Sequence, residues 1–228
     1  MVYISSRMPS SAPSPPGGQR LGARELAKQE TRDALIAAGL AAFAEDGLDL
    51  PSLDAICSRA GFTRGAFYVH FKDRDDFVVA VMEHVLGGFL DAVIATGDDA
   101  HDLEHTIERF VGVLAVAAAP AGHARGRGRP VLGGVQLYRL IEAGARSPLI
   151  RERLVGILLQ AVERVAHATG AGQGRGAVRR DVDPRHAAEL LVVAALGLIG
   201  AVELGVPLDL RAIRCTAAAV LHPDRARH

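Results

Sequence analysis

The side chains that could do chemistry in this 228-residue chain are concentrated in one segment, Ser52 to Phe77. They are cations and hydrogen-bond donors, and no nucleophile–base pair, phosphate-binding glycine loop or dinucleotide fingerprint accompanies them. An arginine can read the O6 and N7 atoms of guanine, and tyrosine, histidine and lysine can donate to phosphates. The segment therefore predicts DNA binding without enzymatic activity. Arg64 is expected at a base edge or a phosphate, and phosphate contacts are assigned to Tyr68, His70, Lys72 and Arg74.

Other interpretations of the same residues stay open. Arg64 could be a solvated surface residue, and His70 could make a structural hydrogen bond between the third and fourth helices. Asp54 lies near the start of the second helix, where it could accept from a cytosine N4 or pair with a neighbouring arginine.

Two short helices separated by a tight turn must position these side chains. Ser52 is a good N-cap for a helix over Leu53–Ala60, and Thr63 for a helix over Arg64–His70. Gly61 between them tolerates a positive φ. This is the helix-turn-helix arrangement, whose second helix enters a major groove. The small core that sets the angle between the helices is predicted to be Ile56, Ala60, Phe62 and Phe67.

Amphipathic helices are predicted on both sides of this unit. The first covers Arg24–Asp46, ends at Gly47, and carries Leu35, Ile36, Ala42 and Phe43 on one face. Gly39 and Ala42 are expected to loosen it. The fourth helix is capped by Asp73, runs to about Thr96, and turns Phe77, Val81 and Val85 inward.

The rest of the chain also has helical periodicity, and no strand-like alternation persists. We predict an all-α fold, with an N-terminal three-helix helix-turn-helix domain and a larger C-terminal helical domain for dimerisation and ligand binding. The predicted divisions are a disordered arm at 1–20, the DNA-binding domain at 21–75, the second domain at 76–222 and a tail at 223–228. The later helices are predicted over Leu103–Ala118, Val131–Ala143, Pro148–Thr169, Pro184–Leu204 and Leu208–Leu221, with loops at 121–130 and 170–176.

Composition places few limits on the partners. The formal net charge is zero, and acidic residues outnumber basic ones in 20–77, so DNA binding needs a locally basic face. The two cysteines are too few for a disulfide scaffold and fit a reduced cytoplasmic protein. The stretch Leu190–Val202 is too short to span a bilayer, and the N-terminus lacks a signal-peptide core. A basic face could be formed by Arg24, Lys28, Arg32, Arg59, Arg64, Lys72 and Arg74.

Two further clusters carry weaker signals. His101 and His105, beside several acidic residues, have a spacing that could bind a metal, but acidic residues in a first helical turn also complement the helix dipole. Arg125, Arg127 and Arg129 could bind an anion, but a solvated loop explains them better. We therefore expect no metal and no cofactor.

The N-terminal segment resembles the tetracycline-repressor family. The resemblance rests on Phe43-Ala44-Glu45-Asp46-Gly47, then Ala60-Gly61-Phe62, then Tyr68-Val69-His70-Phe71, then a basic residue, Arg74. It covers residues 24–85. Gly39, Ala42, Val69 and Arg74 depart from the residues common in that family.

The resemblance implies a bacterial homodimer that binds a palindromic operator and is released by a small effector. An activator, a regulator without a ligand, and a helical protein whose helix-turn-helix is only structural remain alternatives. The expected DNA-binding residues are Arg24, Lys28, Ser52, Arg59, Thr63, Arg64, Gly65, Ala66, Tyr68, Val69, His70, Lys72 and Arg74.

Two apolar regions are assigned to the C-terminal domain, each with an alternative. A cavity for a mostly apolar effector is expected, although the same residues could fill a solid core. A four-helix dimer interface is expected, although the same helix could be buried within one protomer. The cavity residues are Phe110, Leu114, Leu137, Tyr138, Ile141 and Leu158. The interface residues are Leu190, Ala194, Gly197, Leu198, Ala201, Ile213 and Ala217.

Overall fold

A computed structural model describes residues 17–94, 103–119 and 130–222 of the chain. Over these residues the regular structure is helical, with one isolated β-bridge between Leu132 and Val135. The all-α fold class is therefore confirmed. The helices are α1 (Gly17–Asp46), α2 (Leu53–Ala60), α3 (Arg64–His70), α4 (Arg74–Val93), α5 (Leu103–Ala118), α6 (Leu137–Arg146), α7 (Pro148–Gly174), α8 (Pro184–Glu203) and α9 (Leu210–Leu221).

Helices α2 and α3 have the bounds that the sequence predicted, because side-chain caps define their starts. The Ser52 hydroxyl accepts the Ala55 N–H at 3.1 Å, and the Thr63 hydroxyl accepts the Ala66 N–H at 3.3 Å. Gly61 ends α2 with φ 77°, in the left-handed region that a side chain would disfavour.

Several helix ends differ from the prediction by a few residues, among them those of α1, α4 and α7. Helix α1 begins at Gly17, so the end of the predicted arm is helical, and the rest of that arm lies outside the described residues. Helix α4 ends at Val93. Helix α7 continues through the predicted loop to Gly174. A Cβ on Gly172 would lie 2.6 Å from the Val178 side chain, so this glycine allows close packing instead of ending the helix.

Helix α6 begins at Leu137, and the prediction of a helix from Val131 was wrong. Gly133 and Gly134 have φ of 53° and 96°, which no right-handed helix contains. Residues 131–136 instead form a tight turn in which the Val135 N–H donates to the Leu132 carbonyl at 2.8 Å.

Four aromatic rings join the first, third and fourth helices. Phe67, Phe71 and Phe77 have ring centroids 4.9 to 5.2 Å apart, and Phe43 lies 6.0 Å from Phe77. The predicted core residues Ile56 and Phe67 are fully buried, and Ala60 and Phe62 are half-buried. The core that fixes the angle between α2 and α3 is therefore larger than predicted, because Phe43 of α1 and Phe77 of α4 also contribute to it.

Gly39 has a packing role in this core. A Cβ at this position would lie 2.3 Å from Cζ of Phe77, so the glycine lets the ring lie against the α1 backbone. The missing methyl group is what allows α1 and α4 to pack closely, and this packing role adds to the expected loosening of the first helix.

The C-terminal helices pack around α7. Helices α4, α6 and α8 contact it along its length, and α9 packs on α5. Among the described helices, α8 is long and apolar enough to cross a membrane by length and composition, although its apolar stretch 190–202 alone is too short. In this fold α8 is a packed helix with one outward face, and its last residue, Glu203, is buried.

Candidate DNA-binding face and apolar cavity

Most of the predicted DNA-binding residues of helix α3 lie on its solvent-exposed side. Thr63, Arg64 and Gly65 at its start are exposed, and so are Tyr68 and Val69 one turn later. Ala66 is half-buried behind them. A Cβ on Gly65 would meet only the Thr63 hydroxyl, at 3.6 Å, so nothing projects in front of the helix start. This geometry allows close approach to the floor of a groove.

Arg64 is held by two neighbours in the free protein. Its Nε lies 3.5 Å from Oδ1 of Asp54 on α2, and it hydrogen-bonds to Tyr68 one turn along α3. Both contacts raise the pKa of Arg64, with the Tyr68 hydrogen bond as the larger cause. Of the two roles that the sequence left open for Asp54, the structure shows the pairing with an arginine.

Two predicted DNA-binding arginines are engaged within the protein. Arg59 forms a two-point salt bridge with Glu45, at 2.6 and 2.7 Å. Arg74 is half-buried and donates to the carbonyls of Leu48 at 2.6 Å and Pro51 at 2.7 Å. Arg74 therefore holds the connection between α1 and α2, and the sequence pattern showed only its charge.

His70 lies at the end of α3 beside the cations of α1. Burial is the main cause that lowers its pKa, and the charges of Lys28 and Arg32 lower it further. The Arg32 guanidinium also lies 5.3 Å from the centre of the Phe71 ring. Lys28 and His70 thus belong to one positively charged region. Arg24, which precedes Lys28 on α1, and Lys72, which follows α3, are both exposed.

A second site is an apolar cavity of about 290 Å³ between helices α4 to α9. Among the described residues that line it, Thr106 is the only one with a polar side chain. Helix α4 contributes Leu86, Phe89 and Leu90. A cavity of this composition favours an uncharged ligand, because an unpaired ion would lose its hydration without compensation.

Four of the six predicted cavity residues line this space, namely Phe110, Leu137, Ile141 and Leu158. Leu114 is instead fully buried in the core. Tyr138 lies outside the cavity, 51% exposed, in a shallow groove near Leu48 and Arg139. It follows Leu137 by one residue, so the helix turns its side chain to a different side.

The predicted interface residues divide into two groups. Leu190, Ala194 and Gly197 face outward on α8, Ala201 is half-buried, and Val193 adds an exposed apolar side chain. The other group lines the cavity. Ala194 belongs to both groups, since it is exposed on the outward side of α8 and also lines the cavity. The cavity-lining members are Leu198, Ile213 and Ala217. Sequence periodicity could not assign Leu198, since both sides of α8 are apolar.

Some predictions fall outside what the structure describes. His101 and the arginines at 125, 127 and 129 are in this group. His105 lies in α5, and the described residues contain no cluster of three or more histidine, cysteine or acidic side chains placed to bind a metal.

Comparison with known proteins supports the assignment of the N-terminal helices. Residues 35–81 match the family model described as bacterial regulatory proteins, tetR family. The HTH-type transcriptional regulator AcrR of Shigella flexneri is 42% identical over 55 residues, covering 24% of this chain and 26% of that protein. The transcriptional activator FasR of Mycolicibacterium smegmatis is 30% identical over 100 residues, covering 42% and 45%. The chain thus spans less than half the length of either relative.

Solved structures extend the likeness to the whole fold. SmeT, the repressor of the Stenotrophomonas maltophilia multidrug efflux pump SmeDEF, is 25% identical, with a TM-score of 0.61 over 86% of this chain and 94% of that one. In this chain the exposed helix-turn-helix is followed by a larger helical domain. Residues 35–81, which contain the helix-turn-helix, match the tetR family of bacterial regulatory proteins.

Proposed function

We propose that this chain is a homodimeric cytoplasmic repressor that leaves a palindromic operator when a small, mostly apolar molecule binds. The observation that carries the proposal is that one helix, α4, serves both sites. Its first turn places Phe77 in the aromatic core under α3, and its later turns line the cavity with Leu86 and Phe89. A ligand releases DNA if it binds better to the conformation in which the two α3 helices of the dimer are wrongly spaced.

The support for dimerisation is the outward side of α8. Leu190 is 70% exposed and Val193 65% exposed, and Val220 on α9 is 55% exposed. Exposed apolar faces on two helices near the end of a chain suit a four-helix interface across a two-fold axis. The refined interface omits the half-buried Ala201 and the cavity-lining Leu198, Ile213 and Ala217. It consists of Leu190, Val193, Ala194 and Gly197 on α8 with the exposed Ala212, Thr216 and Val220 on α9.

Gly197→Arg tests this interface. A Cβ on Gly197 meets nothing within 4 Å, so the arginine fits the isolated protomer and would interfere only with a partner. We expect a folded monomer by light scattering and circular dichroism. Gly88→Arg on α4 is the control, since it has equal space, and it should stay dimeric. A folded, dimeric Gly197→Arg variant would remove α8 from the interface.

The support for an apolar effector is the lining of the cavity. The structural relative SmeT has also been solved in complex with triclosan. Phenylnaphthylamine, an uncharged dye that fluoresces in apolar sites, is a suitable probe. Anilinonaphthalene sulfonate has the same ring system with an added negative charge. We expect much weaker binding, because the described residues that line the cavity include no cation.

The decisive experiment measures binding to the DNA upstream of the gene that encodes the chain, with and without phenylnaphthylamine. We expect a specific shifted complex whose affinity falls when the dye is added. Phe110→Ala should weaken dye binding by about tenfold or more, since a buried phenyl contact is worth about 1.5–3 kcal/mol. Tyr138→Ala is the matched control, because Tyr138 lies outside the cavity. Absence of any specific complex would contradict the proposed function.

A second candidate, transcriptional activation, is favoured by the likeness to FasR, which is named an activator. Both functions use the same DNA-binding face, so binding assays cannot separate them. Reporter expression from the bound promoter in a deletion strain does so: expression rises if the chain is a repressor and falls if it is an activator.

A further inference from the structure

Glu203, the last residue of α8, carries a buried carboxylate, and the residue is only 5% exposed. Its two oxygens accept backbone N–H groups from the two ends of one short segment. Oε1 accepts from Val131 at 3.2 Å, and Oε2 accepts from Leu137 at 2.8 Å. One side chain of α8 therefore fixes the whole turn formed by residues 131–137, which we name the 131–137 turn.

This carboxylate supplies the N-terminal cap that α6 lacks locally. Gln136 occupies the N-cap position of α6 but makes no side-chain capping hydrogen bond. The negative charge of Glu203 at this helix start is favourable, although its burial raises its pKa. A single asparagine, serine or aspartate at position 136 would cap α6 without any long-range contact. The observed arrangement differs because it also ties α6 to α8.

The opposite side of the turn touches the DNA-binding domain. A Cβ on Gly134 would lie 3.1 Å from the Ala44 Cβ near the end of α1, and one on Gly133 would lie 3.2 Å from Val85 on α4. Arg139, which follows in the first turn of α6, occupies the space beside Gly47, where a Cβ would overlap its guanidinium. The turn thus packs tightly against both helices that carry α2 and α3.

The same turn forms part of the cavity wall. Leu132 and Leu137 line the cavity, and so does Ile199, one helical turn before Glu203. A molecule in the cavity therefore contacts both ends of the link that Glu203 makes. Packed elements of this kind move between discrete positions instead of deforming continuously.

We propose that Glu203 couples the cavity to the DNA-binding domain, by holding the 131–137 turn between α8 and the pair α1 and α4. The inference rests on the proposed function. Occupation of the cavity displaces Leu132 and Leu137, and the turn transmits this displacement to Ala44 and Val85 as long as Glu203 fixes both of its ends.

The test compares Glu203→Gln with Glu189→Gln, an exposed glutamate on the same helix. In the isosteric glutamine, the NH₂ group cannot accept, so one backbone N–H loses its partner. The first readout is the ratio of operator affinities without and with phenylnaphthylamine. We expect Glu203→Gln to bind the dye like the wild type. The dye should, however, weaken operator binding much less in this variant, so that the ratio is about fivefold or more smaller than in the wild type. Glu189→Gln should retain the full ratio.

A double variant separates coupling from simple capping. Gln136→Asp in the Glu203→Gln background gives α6 its own N-cap but does not restore the tie to α8. We expect it to recover the melting temperature without recovering the ratio. If Glu203 were only a cap, this variant would recover both, and the proposal would be overturned.

Hydrogen exchange tests the link without a ligand or DNA. Glu203→Gln should increase exchange in the 131–137 turn and also in the last turns of α1 and the middle of α4, whereas a local role would affect the turn alone and contradict the proposal. If the wild type fails to bind DNA or dye, the proposed function fails, and this exchange pattern still decides the role of Glu203. If the wild type responds to the dye and Glu203→Gln responds equally, only the coupling role is wrong.

Discussion

Arg64 and Asp54 face each other across the helix-turn-helix, with Nε of the guanidinium 3.5 Å from Oδ1 of the carboxylate. Both side chains are more than half exposed, so breaking the ion pair costs little free energy. If α3 binds DNA as proposed, Arg64 exchanges this partner for a guanine or a phosphate, while the charge of Asp54 opposes the phosphate backbone. We therefore expect the pair to lower the affinity for DNA of any sequence.

Asp54→Asn should raise the affinity for DNA of any sequence, by about threefold at low salt, because it removes a repulsive charge and frees Arg64. Arg64→Ala should lower operator affinity about tenfold or more and relax one base position. Fluorescence anisotropy with operator and random duplexes measures both effects. Asp181→Asn is the control, since it breaks an exposed salt bridge with Arg179 outside the helix-turn-helix. If Asp54→Asn and Arg64→Ala both bind DNA with unchanged affinity, this side of α3 does not contact DNA.

Arg74 and Lys72 are expected to respond differently to substitution, although their charges are the same. Arg74→Ala leaves the carbonyls of Leu48 and Pro51 without their charged donor, which should cost about 1.5–3 kcal/mol of unfolding free energy. Lys72→Ala removes an exposed side chain, so stability should hold while the salt dependence of operator binding decreases by about one counterion. Denaturant unfolding and salt titration check the two effects. A fully stable Arg74→Ala variant would show that the carbonyl contacts are unimportant.

Local signals were sufficient to predict the helix-turn-helix, and long-range contacts explain what they missed. Ser52, Gly61 and Thr63 act within a few residues of their own position, so the bounds of α2 and α3 could be predicted. The start of α6 could not, since its cap is Glu203, which is distant in sequence. The role of Arg74 was hidden for the same reason, because its partners precede it by more than twenty residues.

The C-terminal site was predicted in part. Apolar periodicity identified Phe110, Ile141 and Leu158 as cavity-lining residues, but it could not place Tyr138 outside the cavity. Helix α8 is apolar on both sides, so the residues that line the cavity and those that face outward cannot be distinguished until α7 is packed against one of them.

Two glycine-to-alanine substitutions should have opposite effects on stability. Gly39→Ala places a methyl group 2.3 Å from Cζ of the buried Phe77 ring, and overpacking of this kind costs about 1–3 kcal/mol. Gly88→Ala on α4 meets nothing within 4 Å, so it should stabilise by about 0.4–1 kcal/mol through reduced freedom of the unfolded chain. Chemical denaturation of both variants measures the difference. A stabilised Gly39→Ala variant would mean that Phe77 can move aside without cost.

The pH dependence of operator binding should depend on His70. Its pKa is lowered in the free protein, first by burial and then by the charges of Lys28 and Arg32, so it is neutral above the ordinary histidine range. A DNA phosphate beside these groups would offset both cationic charges and favour the imidazolium. The complex would then bind more protons than the free protein, so affinity must rise as the pH falls.

Affinity at pH 6 should therefore exceed affinity at pH 8, by up to about tenfold for each unit by which DNA raises the pKa. Replacing His70 with glutamine should flatten this dependence, because glutamine does not titrate in this range. His84→Gln on α4 is the control, since His84 is exposed and lies beyond the helix-turn-helix. Anisotropy titrations at constant ionic strength measure the slope. An equal slope in the wild type and in His70→Gln would show that His70 does not contact a phosphate.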